Sequence, residues 1–414
     1  MRADLPVDGA RLWADMMALA DITDPQRPYT RRSFSPLFLE GRAWLRRRFE
    51  EAGLKVWIDA GGNLIGRTEG RDPALKTIML GSHSDTVPSG GRFDGIAGLI
   101  AALEVVRSLD RMHRHALEVV DFLAEEPSEY GLSCVGSRAI VGMLEPAMLA
   151  YTAPSGESLG NAVDRIGGSV SQLAEARRSD VAAFLELHIE QGIVLENKKI
   201  DIGVVTAVVS IARLEIVFQG AADHAGTTPM GLRRDAGLAV ARTIAFAAER
   251  AAALAISGRG HFVATAGVIE VTPNAANIVP GHARVVFDIR AEDQALVSAF
   301  IAELDRETTT IAYACRVERS RLALISNTAS ASFDERLRGR LAQAADRLGL
   351  TSISLASGAG HDAAFISRIA PSAMVFVPCR DGKSHTPEEW VEPGAVAAGA
   401  AVLLEAVCRI DETD

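Results

Sequence analysis

Residues 78–98, IMLGSHSDTVPSGGRFDGIAG, constrain the fold of this chain more than any other segment. They open as a short apolar strand, Ile78-Met79-Leu80. The chain then breaks into a loop with His83, Asp85 and Asp94, and turns helical in pattern after Gly95. Strand, loop and helix in that order belong to an α/β sheet. An imidazole and two carboxylates then stand at the carboxyl end of a strand, the edge where such sheets collect ligands and catalytic groups. His and Asp are ligands for hydrolytic metals such as zinc. Asp85, two residues after His83, is placed to hold the ring by its other nitrogen. The segment reads as half of a metal site.

Candidates for the other half lie far along the chain. Glu125-Glu126 follow the apolar strand ending Val120-Asp121-Phe122-Leu123. Side chains alternate there, so one glutamate can bind metal while its neighbour faces the substrate as a base. Taken alone, the pair reads as a solvated acidic turn. His188 lies in the strand-like LELHIEQG and His385 in the polar loop DGKSHTPEEW. Singly, the first reads as a core histidine and the second as surface. Together His83, Asp94, Glu126, His188 and His385 are metal-type ligands at or near predicted strand ends, the combination expected for two metals bridged by one carboxylate. Ions held this way acidify trapped water, and a nearby carboxylate can carry the proton to a leaving amine. Of the other histidines, His113 and His115 in RMHRHA are expected at the surface, and His261 and His282 are isolated. His224 sits in the polar loop GAADHAGTTPMGLRRDA. His361 sits in SGAGHDAAF, a Gly-rich turn whose N–H groups suit a carboxylate or polar head group.

A chain of 414 residues exceeds one hydrophobic core, so two domains are expected. Helical periodicity over 41–52, strands near 55–58, 63–67, 77–80, 116–123 and 183–189, and a buried helix over 96–109 make an α/β unit. Its pattern resumes with a helix over 333–348, a strand over 373–377 and a helix over 393–409. Between them, strands near 213–219, 261–269, 283–290 and 315–320 alternate with helices over 233–254 and 293–312. That is an inserted α+β unit of ferredoxin-like order. The expected domains are 1–211 with 327–414, and 212–326.

The net charge of −10 gives no support for nucleic-acid or anionic-membrane binding. No signal-peptide h-region is read at the N-terminus, and no apolar stretch is read as approaching the ~20 residues of a membrane span. The four cysteines are scattered without a C-x-x-C pair, which argues against a disulfide framework or zinc knot and fits a reducing cytosol, hence a cytoplasmic protein.

Seven segments resemble, in order, the dinuclear-metal M20 peptidase-like superfamily. They are GSHSDTVPSGGRFDG, the EE pair with GLSCVGSRA, LELHIEQG, ADHAGTTPMGLRRDA, PNAANIVPG with FDIR, SGAGHDA and SHTPEEW. Within it they are similar to the amidase (hydantoinase/carbamoylase) branch of N-carbamoyl-L-amino-acid hydrolases, β-ureidopropionases and allantoate amidohydrolases. The resemblance implies a phosphorylase/hydrolase-like dinuclear-metal catalytic domain with a ferredoxin-like lid and dimerisation domain. It implies two divalent ions per subunit, Zn or Mn with Co or Ni also compatible. One would be held by His83, Asp94 and His188, the other by Asp94, Glu126 and His385, with Asp94 bridging. Glu125 would be the general base, Asp85 would orient His83, and His224 would stabilise the oxyanion from a partner subunit in a homodimer. Gln191, Asn277 and Arg290 would contact a small carboxylate substrate, with Gly360 and His361 lining its pocket. The implied reaction is hydrolysis of a linear amide or ureido C–N bond of an N-carbamoyl or related N-acyl amino acid. Allantoate hydrolysis and an M20-type aminoacylase or exopeptidase are the alternatives. The chain departs from the resemblance at Pro127-Ser128-Glu129-Tyr130, where G-S-R-F is usual, which points to a different substrate preference. Ser84, where Leu is frequent, reads as a minor change.

Overall fold

The computed structural model describes residues 5–109 and 113–413. Arg111 and Met112 of the RMHRHA stretch lie outside them, as do residues 1–4 of the N-terminus. The chain forms two compact units, one of Met1–Thr206, Ser332–Leu355 and His361–Asp414, the other of Ala207–Ala331 and Ala356–Gly360. Residues 207–211 and 327–331 thus fall in the second unit rather than the first. The reason is pairing: Ser210 and Ile211 stand opposite Ala291 and Arg290, and Ile211 also opposite Thr328.

The strands are β1 (Lys55–Ile58), β2 (Leu64–Thr68), β3 (Thr77–His83), β4 (Leu117–Phe122), β5 (Val181–Ile189), β6 (Ile202–Val208), β7 (Ser210–Gln219), β8 (Asp223–His224), β9 (Phe262–Thr272), β10 (Ile278–Val279), β11 (His282–Ala291), β12 (Glu318–Thr328), β13 (Ala331–Ser332), β14 (Ser352–Ser357) and β15 (Ser372–Val377). The large sheet runs β1-β2-β4-β3-β5-β15-β6-β13, with β14 paired to β6. Its centre is parallel: β3 pairs in parallel with β4 and β5, and β5 with β15. β3, β4 and β15 are buried along their whole length, as expected of strands covered on both faces. Their carboxyl ends therefore line one edge side by side.

The helix Pro36–Glu51 starts at a Ser35 cap with Pro at its first turn, a strong local start signal. The helix Ile96–Ser108 is buried from Ile96 to Val106. It packs against Pro393–Thr413. That last helix corrects the expectation about membrane-length segments, because it is long and apolar enough to cross a bilayer by length and composition. In the fold its Val396, Val402, Leu403, Val407 and Ile410 are core residues. The surface expectation for His113 and His115 is also corrected. Both are buried, with His115 Nδ1 2.6 Å from the Lys76 carbonyl and the N–H groups of Arg114 and His115 donating to the Asp411 carboxylate at 2.8 Å.

In the second unit the four-stranded antiparallel sheet has the order β12-β7-β11-β9. With helices Ala236–Ala255 and Gln294–Cys315 after its first and third strands, this is the ferredoxin-like arrangement. Ala212, Leu214, Ile216 and Phe218 alternate along β7 and pack under the helices. Cys315 closes the second helix instead of opening a strand, because Arg316 takes the left-handed C-cap at φ 56. All four cysteines are free.

Candidate metal centre

Four neighbouring parallel strands deliver the site. β3 ends at His83, β5 carries His188 next to its end, and β15 leads through a loop to His385. Beyond β4, Ala124 at φ 50 bends the chain so that Glu125 and Glu126 follow at the same edge. Asp94 lies at the mouth of helix Ile96–Ser108. Gly95 must be glycine: its φ is +68, and an added Cβ would come within 2.5 Å of the His83 ring.

The donor atoms form two trios, His83–Asp94–His188 and Asp94–Glu126–His385, each within 4.8 Å. Asp94 Oδ1 is 3.5 Å from His83 Nε2 and 3.1 Å from His188 Nε2. Asp94 Oδ2 is 3.0 Å from His385 Nε2, itself 3.0 Å from Glu126 Oε1. A four-coordinate ion with bonds of ~2.0–2.1 Å keeps its ligand atoms about 3.3 Å apart, so each trio has the span of a divalent cation's cage. The tautomers fit as well. His83 Nδ1 and His188 Nδ1 each lie 3.0 Å from a carbonyl, of Asp85 and of Ile189, which can only accept. Nδ1 is therefore the donor, and in the neutral ring Nε2 is the nitrogen left to turn a lone pair inward.

The cage is strongly charged and buried except at His385, which is exposed. Burial disfavours the His83 cation, yet Glu125, Asp85 and Asp94 outweigh it and hold the ring well above its ordinary pKa. Asp94, and then Glu126, push His385 up to about 10. Asp94 is also buried, but His188, His385 and His83 hold its carboxyl well below the usual range. Glu125 goes the other way: burial raises it well above an ordinary glutamate despite His83. Its Oε2 is 3.7 Å from His83 Nε2, outside both trios, and its Oε1 is 3.7 Å from the Cys134 sulfur. His361 is buried edge-on to His188, ring centroids 4.5 Å apart, and burial and His188 together push it well below its ordinary pKa.

Asp85 sits beside His83 in a different way from the one expected. Its Oδ1 is 3.6 Å from Nδ1, beyond a hydrogen bond, and its own backbone carbonyl holds the ring instead. The carboxylate accepts the N–H groups of Glu125 (3.3 Å) and Glu126 (3.2 Å) and the Ser33 hydroxyl (2.6 Å). It thus ties the β3 loop to the glutamate pair. Ser84 is more than a minor change. Its N–H and hydroxyl both donate to Asp121, at 2.8 and 3.1 Å, and Arg42 closes the far side of that carboxylate at 2.9 Å. A leucine there would leave one of these bonds unmade. Pro127 and Glu129 are exposed, while Tyr130 is buried against Phe34 with its hydroxyl on Glu157 at 2.7 Å.

Gln191, at φ 56, donates through Nε2 to Asp94 Oδ2 at 2.8 Å, and its Oε1 is buried with no partner among the described residues. The remaining candidates, His224, Asn277, Arg290 and Gly360, belong to the second unit. His224 and Asn277 are exposed on the β8–β10 ribbon, where the Ala225 N–H donates to the Asn277 carbonyl at 2.9 Å. His224 Nδ1 accepts the N–H groups of Gly226 and Thr227 at 3.1 and 3.2 Å, so the neutral ring presents Nε2–H outward. Arg290 is held by Asp288 at 2.7 Å and by the Gly358 carbonyl at 2.6 Å. Sequence reasoning missed Asp121, Ser384 and Glu389 as parts of this site. The signal for the last was an adjacent acid pair, Glu388-Glu389, in the loop that carries His385.

Residues 79–409 match the profile of peptidase family M20/M25/M40. An N-carbamoyl-L-amino acid amidohydrolase of Geobacillus stearothermophilus is 36% identical, covering 98% of this chain and 99% of its own length. A ureidoglycolate hydrolase of Arabidopsis thaliana is 34% identical over 99% of this chain and 88% of its own. A crystal structure of a hydantoinase/carbamoylase-family amidase from Burkholderia multivorans superposes with a TM-score of 0.89 at 36% identity, covering 97% of both chains. With the fold, the strand-edge ligands and these likenesses in agreement, the chain belongs to the M20/M25/M40 peptidase family.

Proposed function

We propose that this chain is a metal-dependent amidohydrolase that cleaves a linear amide or ureido C–N bond of an N-carbamoyl or related N-acyl amino acid. The observation that carries the reading is Asp94, whose two oxygens serve different ligand trios while Glu125 stands beside them, uncommitted. His83, Asp94 and His188 would hold one divalent ion, and Asp94, Glu126 and His385 a second. When bound, such ions polarise the scissile carbonyl and lower the pKa of water.

The chain's own groups do the rest. Glu125 takes the water proton and passes it to the leaving nitrogen, and its raised proton affinity suits both halves of that transfer. Asp85 fixes the backbone under Glu125 and Glu126. The outward Nε2–H of His224 is the donor for the developing oxyanion, contributed across a homodimer. Gln191 and Asn277 contact the substrate, and Gly360 and His361 line its pocket. Arg290 takes the substrate carboxylate. Asp288 and Gly358 use three of its five N–H groups and leave one on each terminal nitrogen, a bidentate edge. Arg290→Ala is expected to raise KM for carboxylate substrates by about 10–100-fold with little change in kcat, the value of a charge-assisted hydrogen bond. Steady-state kinetics decide it, and an unchanged KM would mean the carboxylate is held elsewhere.

The branch-specific HIEQG and HAGTTPMG segments weigh against an exopeptidase. The likeness to a ureidoglycolate hydrolase keeps a ureido acid with a hydroxyl in place of a side chain as the second reading. Chelator-stripped protein reloaded with Zn²⁺ or Mn²⁺ would be assayed against N-carbamoyl-L-amino acids, ureidoglycolate, allantoate, N-acetyl amino acids and dipeptides. N-carbamoyl substrates are expected to give the highest kcat/KM, and the stripped protein none. Undiminished turnover after exhaustive chelation excludes the mechanism.

A further inference from the structure

The two ligand trios are not built alike. His83 and His188 stand on adjacent strands of one sheet, and their rings are pinned by carbonyls one or two residues further along the chain. The second trio instead needs the Asp94 loop and the His385 loop, almost three hundred residues apart in sequence, to meet at 3.0 Å. Glu389 makes that joint. Its side chain is buried at 1% exposure. Oε1 accepts the N–H of Phe93 at 2.7 Å and of Asp94 at 3.2 Å, and Oε2 accepts the Ser384 hydroxyl at 2.8 Å.

The fit around it is close. At Gly91, with φ +118, an added Cβ would come within 2.4 Å of Glu389 Oε1. Trp390, the next residue, packs edge-on against both Phe93 and Trp13, at 5.7 and 5.5 Å. Ser384 Oγ also lies 2.9 Å from Asp94 Oδ2, so one hydroxyl proton faces two carboxylates. Glu389 therefore grips the backbone of one ligand and the neighbour of another while offering no donor atom to either trio.

Resting on the two-ion reading above, we infer that Glu389 is a positioning residue that sets the span from Asp94 to His385 and so maintains the second cation position selectively. The first position shares Asp94 but takes its two histidines from adjacent strands outside the joint, so it leans on Glu389 less. Glu389→Gln keeps an oxygen for the two N–H groups and gives Ser384 an N–H to accept, so the joint survives. Glu389→Ala removes it.

Ion content and affinity would be measured on the wild-type protein and the variants by titrating Zn²⁺ and Mn²⁺ into metal-stripped protein, with kcat followed alongside. Wild type and Glu389→Gln are expected to bind two ions, with kcat within about threefold of each other. Glu389→Ala is expected to keep the first ion and to bind the second about 10–100-fold more weakly, the usual cost of losing an outer-shell partner. Its kcat should recover in excess metal at unchanged KM. If the alanine protein fails the circular-dichroism test of folding, Glu389→Asp, whose shorter carboxylate cannot span both loops, is expected to show the same selective loss. Two ions at wild-type affinity in the alanine or aspartate variant overturns the inference. So does equal weakening of both ions, or a glutamine variant as impaired as alanine. A wild-type protein that never holds two ions overturns the two-ion reading itself.

Discussion

Glu125→Gln is expected to leave the bound ions in place and to lower kcat by about 10²–10⁴-fold, the usual contribution of a positioned proton carrier. The substitution is close to isosteric. It keeps the backbone N–H bond to Asp85 and the contact with Cys134, and it removes no donor atom from either ligand trio. What it removes is the ability to take a proton from water and hand it on. Because Glu125 is buried, bulk solvent is poorly placed to substitute for it. Metal content by elemental analysis and turnover on an N-carbamoyl amino acid together make the test. A variant with full metal content and near-normal kcat would falsify the role assigned to Glu125.

Asp94→Ala is expected to be more severe, abolishing binding of both ions and lowering kcat by more than about 10⁴-fold, since the ions supply both the activated water and the charge stabilisation. Both trios share this side chain: His83 and His188 face one oxygen, and His385 faces the other. His385→Ala and His83→Ala each strip one trio only and should spare one ion. The contrast is the informative measurement. If the aspartate variant retains one tightly held ion, the carboxylate does not bridge, and the two trios are independent sites.

Much of this arrangement is legible along the chain because the parallel strands advertise themselves. TIMLGSH and LEVVDF are buried end to end around the short apolar runs Ile78-Met79-Leu80 and Val119-Val120, and the polar residues that follow mark the sheet's carboxyl edge. The inserted unit is legible for a different reason. β7 alternates with period two, and the helix after it has a periodic apolar face. The misreadings share one physical origin. His113 and His115 look solvent-facing among arginines, but Asp411, at the far end of the chain, covers the stretch by accepting the N–H groups of Arg114 and His115. The helix Pro393–Thr413 has the length and apolarity of a membrane span by composition, and only its packing shows it to be a core helix. β6 and β14 carried no assignment, because their residues become strands through pairing with each other and with β15.

By itself the sequence determined the chemical identity of the donors and their station at strand ends, since both follow from residue type and local periodicity. Only the tertiary structure decided which oxygen of Asp94 serves which histidines, that the Asp85 carboxylate holds the glutamate backbone and leaves the His83 ring to its carbonyl, and that Glu389 joins two ligand loops. Those are hydrogen bonds between segments distant in sequence. Their partners are chosen by where the backbone brings an N–H or a carboxylate within about 3 Å, and no local pattern records that distance.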